Sequence, residues 1–208
     1  LLALPACGRA QTIELFNGKD LSNWKAVLAK PDVTKDQVFA VRDGTIVCAG
    51  DPLGFIETDK SFVNFKLELE WRWAPGKKPG NSGVFLRVNG ELKVLPRGIE
   101  HQLKAGSAGD LFGFQGMKLE GDAARFRLTP NHKLGGDLRA LTKTAAGEKA
   151  PGEWNRVEIR LQGGNLQARV NGTLVNEAGG VEVIAGHVGL QSEGGEVHFR
   201  NVRLRTLD

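Results

Sequence analysis

The sequence of 208 residues has little cysteine and no concentrated run of basic charge. Its two cysteines, Cys7 and Cys48, cannot supply a disulfide framework, and a chain of this length buries a core without one. The formal net charge is +4, but lysine and arginine are interleaved with acidic residues and form no run of five or more. Nucleic-acid-binding proteins concentrate their basic residues in a patch or stripe. The sequence therefore predicts no nucleic-acid partner.

The sequence also lacks the signatures of several membrane and enzyme classes. No apolar run after residue 6 approaches the roughly 20 residues of a membrane-spanning helix. There is no phosphate-binding loop, no Gly-x-Ser-x-Gly elbow and no zinc signature. His132, His187 and His198 are scattered without the spacing of metal ligands. We therefore expect no cofactor and no metal site, with a bound divalent ion as the alternative.

The first eleven residues have the pattern of the end of an export signal. An apolar run is followed by small residues and then by a polar start, as at the end of a secretory leader. Cleavage after Ala10 is one alternative, lipid attachment to Cys7 in the lipobox-like Leu4–Cys7 is another, and an extension without function is a third. We therefore expect a leader remnant at 1–11 and a single domain at 12–208. The protein would be exported, either periplasmic or anchored to the bacterial envelope through a lipid on Cys7.

Most of the chain has the pattern of short strands joined by tight turns. Residues 65–73 alternate between apolar and charged side chains without a fault, which is typical of a half-buried strand. Residues 156–162 and 165–170 alternate around Gly163-Gly164, and Asn171-Gly172 is a hairpin signal. The 28 glycines fit frequent turns. This spacing predicts an all-β, two-sheet antiparallel β-sandwich.

Two further regions carry predictions of their own. The stretch from 104 to 152 has weak periodicity, and we expect long loops there with short strands near 124–128 and 138–141. Trp71 and Trp73 alternate in phase with leucines, so both belong in the core.

Several segments, in this order, resemble a known family. They are LFNGKDLSNW at 15–24, NSGVFLR at 81–87, GIEHQL at 98–103, GEWN at 152–155, GLQSEG at 189–194 and FRNV at 199–202. Together, across about residues 13 to 206, they resemble the 3-keto-disaccharide hydrolase family. The resemblance implies a concanavalin A-like jelly roll that acts on glycosides whose C3 hydroxyl has been oxidised to a ketone. It also implies export, often with a lipid anchor, in agreement with the N-terminal pattern.

Two positions depart from the family pattern. Ile99 stands where the family has a tyrosine, which removes an aromatic ring from the edge of the expected site. The family's aspartate shortly after Gln102 is also missing, and Asp110 lies further on. We therefore expect the substrate range to differ.

Strand alternation assigns polar side chains to one face of the expected sandwich. Val84, Leu86 and Val88 are expected to face the core, as are Ile99 and Leu103. The opposite, concave face would then be a polar floor suited to a ligand with many hydroxyl groups. The side chains expected there are Asn81, Phe85, Arg87, Glu100, Gln102, Gln191, Glu193 and, from the long strand, Glu70.

The chemistry implied by the resemblance needs a base, a stabiliser for an enolate oxygen and an acid for the leaving group. Glu100 is the candidate base, with His101 or Glu193 as alternatives, although His101 falls at a core-facing position. Arg87 and Gln102 would stabilise the enolate or orient the sugar. The residues expected to bind substrate are Glu70, Asn81, Phe85, His101, Gln191 and Glu193, with Phe112 and Phe114 as an exposed platform for a sugar ring.

Other readings of the same residues lead to different functions. A face of Glu, Gln and Arg on a strand also occurs as a solvated surface or a structural ion-pair network. The main rival is a non-catalytic carbohydrate-binding module, and a structural adhesion domain is a further alternative. Replacement of Glu100 by Gln separates an enzyme from a binding module, because it would abolish turnover and spare binding.

Overall fold

The computed structural model describes residues 11–208; residues 1–10, which include Cys7 and the expected export or lipid-attachment signal, lie outside the described part. Over residues 11–208 the chain forms sixteen strands and one helical turn. The elements are β1 (Thr12–Glu14), β2 (Trp24–Leu28), α1 (Lys35–Val38), β3 (Phe39–Arg42), β4 (Thr45–Cys48), β5 (Gly54–Thr58), β6 (Phe65–Trp73), β7 (Gly83–Asn89), β8 (Arg97–Gln102), β9 (Leu111–Phe114), β10 (Phe126–His132), β11 (Gly136–Leu141), β12 (Asn155–Gln162), β13 (Asn165–Val170), β14 (Thr173–Ala178), β15 (His187–Ser192) and β16 (Val197–Thr206).

The strands form two antiparallel sheets of eight strands each. Sheet A has the order β14-β13-β12-β6-β16-β4-β3, and β1 also pairs with β16. Sheet B has the order β10-β11-β9-β8-β7-β15-β5-β2. The two sheets pack face to face over a shared apolar core, so the predicted all-β, two-sheet antiparallel sandwich is confirmed.

The alternating strands place their apolar side chains between the sheets. In β6 every second side chain is buried, from Phe65 through Leu67 and Leu69 to the two tryptophans. Trp71 and Trp73 meet edge to face, with ring centroids 5.9 Å apart, in the core position predicted for them. Burial of such rings contributes much of the apolar area that drives the sheets together.

The stretch from 104 to 152 contains more strand than its sequence suggested. The two predicted short strands are present as β10 and β11, and β9 between them and β8 was not predicted. Strand β9 is four residues long and includes Gly113, so it is too short for a period-2 pattern to be read from the sequence. These three strands extend sheet B beyond β8.

The helix content and the state of Cys48 correspond to two features of the sequence, its short apolar runs and its few cysteines. Within residues 11–208, no helix has the length and apolar character needed to cross a membrane. Cys48 is buried at the end of β4 with a free thiol, and burial raises its pKa to about 11. The side chain therefore behaves as a small apolar core residue.

Candidate functional site

The outer face of sheet B, the face turned away from the core, collects most of the polar side chains singled out by the sequence. Strands β7, β8 and β9 are in register, with Phe85 opposite Glu100 and Glu100 opposite Phe112. Ile99 is packed in the core, so the alternation of β8 turns Glu100 to the opposite face. This is the face predicted for it.

The carboxyl of Glu100 occupies the space that a side chain at Gly83 would fill. A Cβ built on Gly83 would lie 2.1 Å from Glu100 Oε1 and 2.6 Å from Glu100 Cγ. Gly83 pairs with Gln102 across β7 and β8. A glycine is needed at this position because the Glu100 side chain lies over it. The importance of Gly83 was missed from the sequence, although the NSG segment at 81–83 carries the signal.

Glu100 is buried and lacks a hydrogen-bond partner. Only 1% of the residue is exposed, and its Oε1 accepts no hydrogen bond within the described chain. Burial raises the pKa of the Glu100 carboxyl well above its usual value, and the negative charge of Glu193 raises it further. A carboxyl held in this way exchanges a proton closer to neutral pH than an exposed one.

Gln191 lies on β15, which pairs with β7, the strand that carries Gly83. Ser82 Oγ donates to the Gln191 carbonyl oxygen at 2.8 Å, which joins β15 to the chain just before Gly83. The Gln191 side chain is fully buried, and neither its Oε1 nor its Nε2 makes a hydrogen bond of normal geometry. Asn81 Oδ1 is likewise buried without a partner. Buried polar groups are nearly always hydrogen-bonded, so these unpartnered atoms are exceptional in the described chain.

Gln102 is fixed by its own backbone. Its Oε1 accepts hydrogen bonds from the backbone N–H of Leu103 at 2.9 Å and of Lys104 at 2.8 Å. The amide oxygen is therefore committed to the chain turn after β8. The amide N–H groups remain as the donors that Gln102 can offer to a ligand.

Glu193 stands at the rim of the site. The residue is half-buried, and burial raises the pKa of its carboxyl, while the Gln191 amide and Lys104 act in the opposite direction. Its charge acts on Glu100. Two carboxyls with raised pKa values in one site can hold a proton between them, so that one is protonated while the other is ionised.

An aromatic cluster borders the polar part of the face. Phe85 is fully buried and meets Phe55 edge to face at 5.3 Å and Phe114 at 6.3 Å. Phe112 stacks on Phe114 with ring centroids 6.1 Å apart and an interplanar angle of 15°. Phe114 is 6% exposed and Phe112 is half-buried, so only Phe112 presents a ring edge or face at the surface. The predicted two-ring exposed platform is thereby reduced to one ring.

Arg87 does not belong to this polar cluster, contrary to the expectation from alternation. Its backbone has φ +51°, and the pairing of β7 with β8 shifts register between Leu86 and Asn89. A bulge adds one residue and interrupts the alternation of faces, so Val88 joins Phe85 in the outer apolar cluster instead of the core. The position of Val88 is therefore a second correction.

The buried Arg87 guanidinium is occupied by loop carbonyls. It donates to the carbonyl oxygens of Val63 at 3.0 and 2.7 Å, Glu182 at 2.5 Å and Gly163 at 3.0 Å. Because its N–H groups are used in this way, Arg87 is a structural cross-link between three loops. The sequence could not show this, since the bulge is set by strand pairing.

Glu70 and His101 are also separated from Glu100. Glu70 lies on β6 of sheet A, where its Oε2 accepts from Arg200 Nε at 2.6 Å, so it cannot share a floor with residues of sheet B. His101 points into the core from β8 and is fully buried. Burial lowers the pKa of the imidazole to about 4, so it is neutral, and it cannot reach a ligand on the outer face.

Trp154 packs against arginine side chains of sheet A, on the opposite side of the molecule from Glu100. The guanidinium carbons of Arg72 and Arg200 lie over its ring, 4.5 and 4.0 Å from the ring centroid. This is a cation–π arrangement on the outer face of sheet A. The tryptophan is therefore not available as a sugar platform at Glu100.

The positions of His, Cys, Asp and Glu side chains bear on whether the site can hold a metal ion. Across residues 11–208 there is no group of three or more His, Cys, Asp or Glu side chains placed to hold a metal ion. The site around Glu100 presents carboxyl and amide groups. Proton transfer and hydrogen bonding are the chemistry that these groups can perform.

Comparisons with known proteins cover almost the whole chain. Residues 11–205 match the sequence model of a family described as 3-keto-alpha-glucoside-1,2-lyase-like domain. A 3-keto-disaccharide hydrolase of Bacteroides thetaiotaomicron is 25% identical over 252 aligned positions, which cover 94% of this chain and 78% of that protein.

Solved structures share the architecture. A protein of Parabacteroides distasonis named as a glycosyl hydrolase aligns with a TM-score of 0.67 at 24% identity, over 95% of this chain and 94% of that one. A β-glucanase of Bacillus licheniformis aligns with a TM-score of 0.59 at 12% identity, over 97% and 99%. The carbohydrate-binding module CBM66 of Bacillus subtilis aligns with a TM-score of 0.56 at 16% identity, over 87% and 94%. These similarities establish the jelly-roll fold, which serves both glycoside-cleaving enzymes and binding modules.

Proposed function

Because the chain belongs to the family of 3-keto-alpha-glucoside-1,2-lyase-like domains, we propose that it cleaves glycosides whose sugar carries a ketone at C3. The single observation that carries the proposal is the buried Glu100 carboxyl, held in the gap above Gly83 with Oε1 unpartnered. The curated relative from Bacteroides thetaiotaomicron is named for hydrolysis of 3-keto-disaccharides, which supports the same substrate class.

The reaction begins at the carbon next to the ketone. The C3 ketone acidifies the hydrogen on C2, and the Glu100 carboxylate removes this proton. The electron pair of the C–H bond moves into the C2–C3 bond, which leaves negative charge on the C3 oxygen. A base with a raised pKa suits the step, because it takes up a proton more strongly than an ordinary carboxylate.

The charge on the C3 oxygen requires donors that are already in place. With Arg87 committed to loop carbonyls, the N–H groups of Gln102 and Gln191 are the donors at the site. The Gln102 amide is held by its two backbone contacts, so it loses little freedom when it binds the oxygen. We assign enolate stabilisation to these two amides.

The second half of the reaction expels the aglycone. The C3 ketone re-forms, a double bond forms between C1 and C2, and the C1–oxygen bond breaks. Glu193, when protonated, donates its proton to the leaving oxygen, which its raised pKa favours. Addition of water across the new double bond, with hydroxide at C1 and a proton at C2, completes hydrolysis. Release of the unsaturated ketone before that addition would make the same enzyme a lyase.

The first experiment compares a 3-keto disaccharide with its unoxidised parent. We expect the wild-type protein to release 3-keto-glucose or a 2-hydroxy enone from the oxidised sugar alone, detected by mass spectrometry. Glu100→Gln should lower kcat at least ~100-fold, since a general base contributes roughly 10²–10⁴-fold. The matched control is Glu91→Gln, because the Glu91 side chain is 80% exposed and contacts only Lys93 among ion-pair partners in the described chain.

Each outcome separates the alternatives. Full turnover by Glu100→Gln would remove Glu100 from the role of base. Saturable binding of both sugars without any turnover by the wild type would refute the enzyme and assign a binding module. Equal cleavage of the oxidised and the parent sugar would refute the role of the ketone.

A further inference from the structure

A second polar cluster lies on the same outer face, three strands from Glu100. Glu57 on β5 pairs with Gly189 on β15, which pairs with Phe85 on β7, which pairs with Glu100 on β8. With neighbouring strands about 4.8 Å apart, this row separates the two glutamates by roughly 14 Å. A single sugar ring cannot bridge that distance.

Glu57 resembles Glu100 in lacking a partner for a buried carboxyl oxygen. Only 4% of the residue is exposed, and its Oε2 accepts no hydrogen bond in the described chain. Its cross-strand neighbour Lys25 forms an ion pair with Asp59 instead, at 3.4 Å. An unsatisfied buried carboxylate is costly, so it is expected where a ligand supplies the missing donor.

His187 places an imidazole, which can donate or accept a hydrogen bond, near the Glu57 carboxyl. It pairs with Val88, a member of the outer apolar cluster, which places the imidazole on the same face as Glu57. Its Nδ1 lies 2.7 Å from the carbonyl oxygen of Thr58, and a carbonyl only accepts, so Nδ1 carries a hydrogen. The Nε2 atom is left as the ring nitrogen that can face a ligand. Burial raises the pKa of Glu57, and the charge of His187 lowers it.

A buried apolar cluster lies between the two polar clusters. Phe55 and Phe85 meet edge to face there, and a Cβ at Gly189 would lie within 3.3 Å of both side chains. Half-buried Val27 and Leu53 pack against this pair. The two polar clusters on this side of sheet B are therefore separate, with buried aromatic rings between them.

We propose that Glu57 and His187 form a distal subsite that binds the hydroxyl groups of the second ring of a disaccharide while its oxidised ring lies at Glu100. This inference rests on the proposed function for the identity of the reacting ring. It adds that the enzyme selects a sugar aglycone over a small one, and that the selection is made by hydrogen bonding at Glu57.

The test compares two substrates that differ only beyond the reacting ring, a 3-keto disaccharide and methyl 3-keto-glucoside. Glu57→Leu keeps a side chain of similar volume and removes every hydrogen bond that the carboxyl could make to a ligand. We expect its KM for the disaccharide to rise roughly tenfold or more, and its constants for the methyl glycoside to stay within twofold. Glu57→Gln should lose about threefold with the disaccharide, because it retains one acceptor and two donors. His187→Ala should weaken the disaccharide selectively, and Glu91→Gln serves as the exposed control.

A calorimetric titration with the unoxidised disaccharide separates this inference from the proposed function. If the wild type cleaves both oxidised substrates and the Glu57 variants change neither constant, the distal subsite is refuted while the proposed function stands. If the wild type cleaves nothing, the proposed function fails, and weaker disaccharide binding by Glu57→Gln still supports the subsite. Equal losses with both substrates would assign Glu57 a general structural role and refute the inference. Should Glu57→Leu fail to fold by circular dichroism, Glu57→Gln decides the outcome alone.

Discussion

Replacement of Gly83 by alanine tests whether the position of the Glu100 carboxyl is set by the absence of a side chain on β7. The added Cβ would lie 2.1 Å from Glu100 Oε1, 2.6 Å from its Cγ and 2.7 Å from its Cδ, whereas ordinary contacts begin at 3.4 Å. The Glu100 carboxyl must therefore move by about 1 Å or more, because the obstacle is the flexible end of a side chain. Gly83 has no positive φ, so alanine introduces no backbone strain.

The consequence is expected in catalysis more than in stability. A displacement of about 1 Å in a catalytic group costs roughly 100-fold in rate, so kcat for a 3-keto disaccharide should fall by about that factor. Local overpacking costs about 1–3 kcal/mol. At 2–4 °C per kcal/mol for chains of roughly this size, the melting temperature should fall by no more than about 12 °C.

Steady-state kinetics and thermal melting on the same preparation decide the question. The matched control is Gly179→Ala, since a Cβ at Gly179 would meet nothing within 4 Å. We expect the control to keep both kcat and melting temperature. Retention of kcat within threefold by Gly83→Ala would refute the argument that this gap positions the base. A similar loss in the control would assign the effect to glycine replacement in general.

Three further predictions concern the ionisable side chains Glu193, Arg87 and His101. Glu193→Gln removes the proposed acid, so kcat should fall roughly 10²-fold or more. It also removes the charge that raises the Glu100 pKa, so the acid limb of the remaining kcat/KM should move to lower pH; an unmoved limb would contradict the coupling. Arg87→Met leaves three part-buried loop carbonyls without the donors that Arg87 supplies and should lower the free energy of unfolding in urea by about 3 kcal/mol, with kcat of the folded enzyme within threefold. His101 has a pKa of about 4 when folded and near 6.5 when unfolded, so the unfolded chain binds more protons between these values and stability is lost as pH falls through them. His101→Leu should remove about 3 kcal/mol of this difference between pH 7 and pH 4, measured by urea unfolding; an unchanged pH dependence would show that His101 is not buried and neutral.

Local periodicity accounts for much of the fold. The alternation of β6 and β12 is enough to predict two half-buried strands, and it places Trp71 and Trp73 in the core where the structure has them. The same rule assigns Glu100 and Gln102 to one face of β8. Strand β9 escaped this rule because four residues with a glycine carry no readable period.

The order of strands within the two sheets could not be predicted from the sequence. Alternation showed that Glu70 faces away from the core, but two sheets have two such faces, and strand pairing placed Glu70 on sheet A and Glu100 on sheet B. The bulge at Arg87 likewise depends on how β7 pairs with β8 and β15, and it redirects the guanidinium to loop carbonyls.

By itself the sequence determined the all-β class and the core faces of the long alternating strands, because these depend on residue types repeated along one segment. It also determined the family, because the motifs that carry the resemblance are read in order along the chain. The tertiary structure alone decided that the Glu100 carboxyl lies over Gly83 of the neighbouring strand, and that Glu57 and His187 lie near each other further along the same face. These neighbours come from strands distant in sequence. Their proximity is fixed by hydrogen-bonded register between strands, which no local pattern encodes.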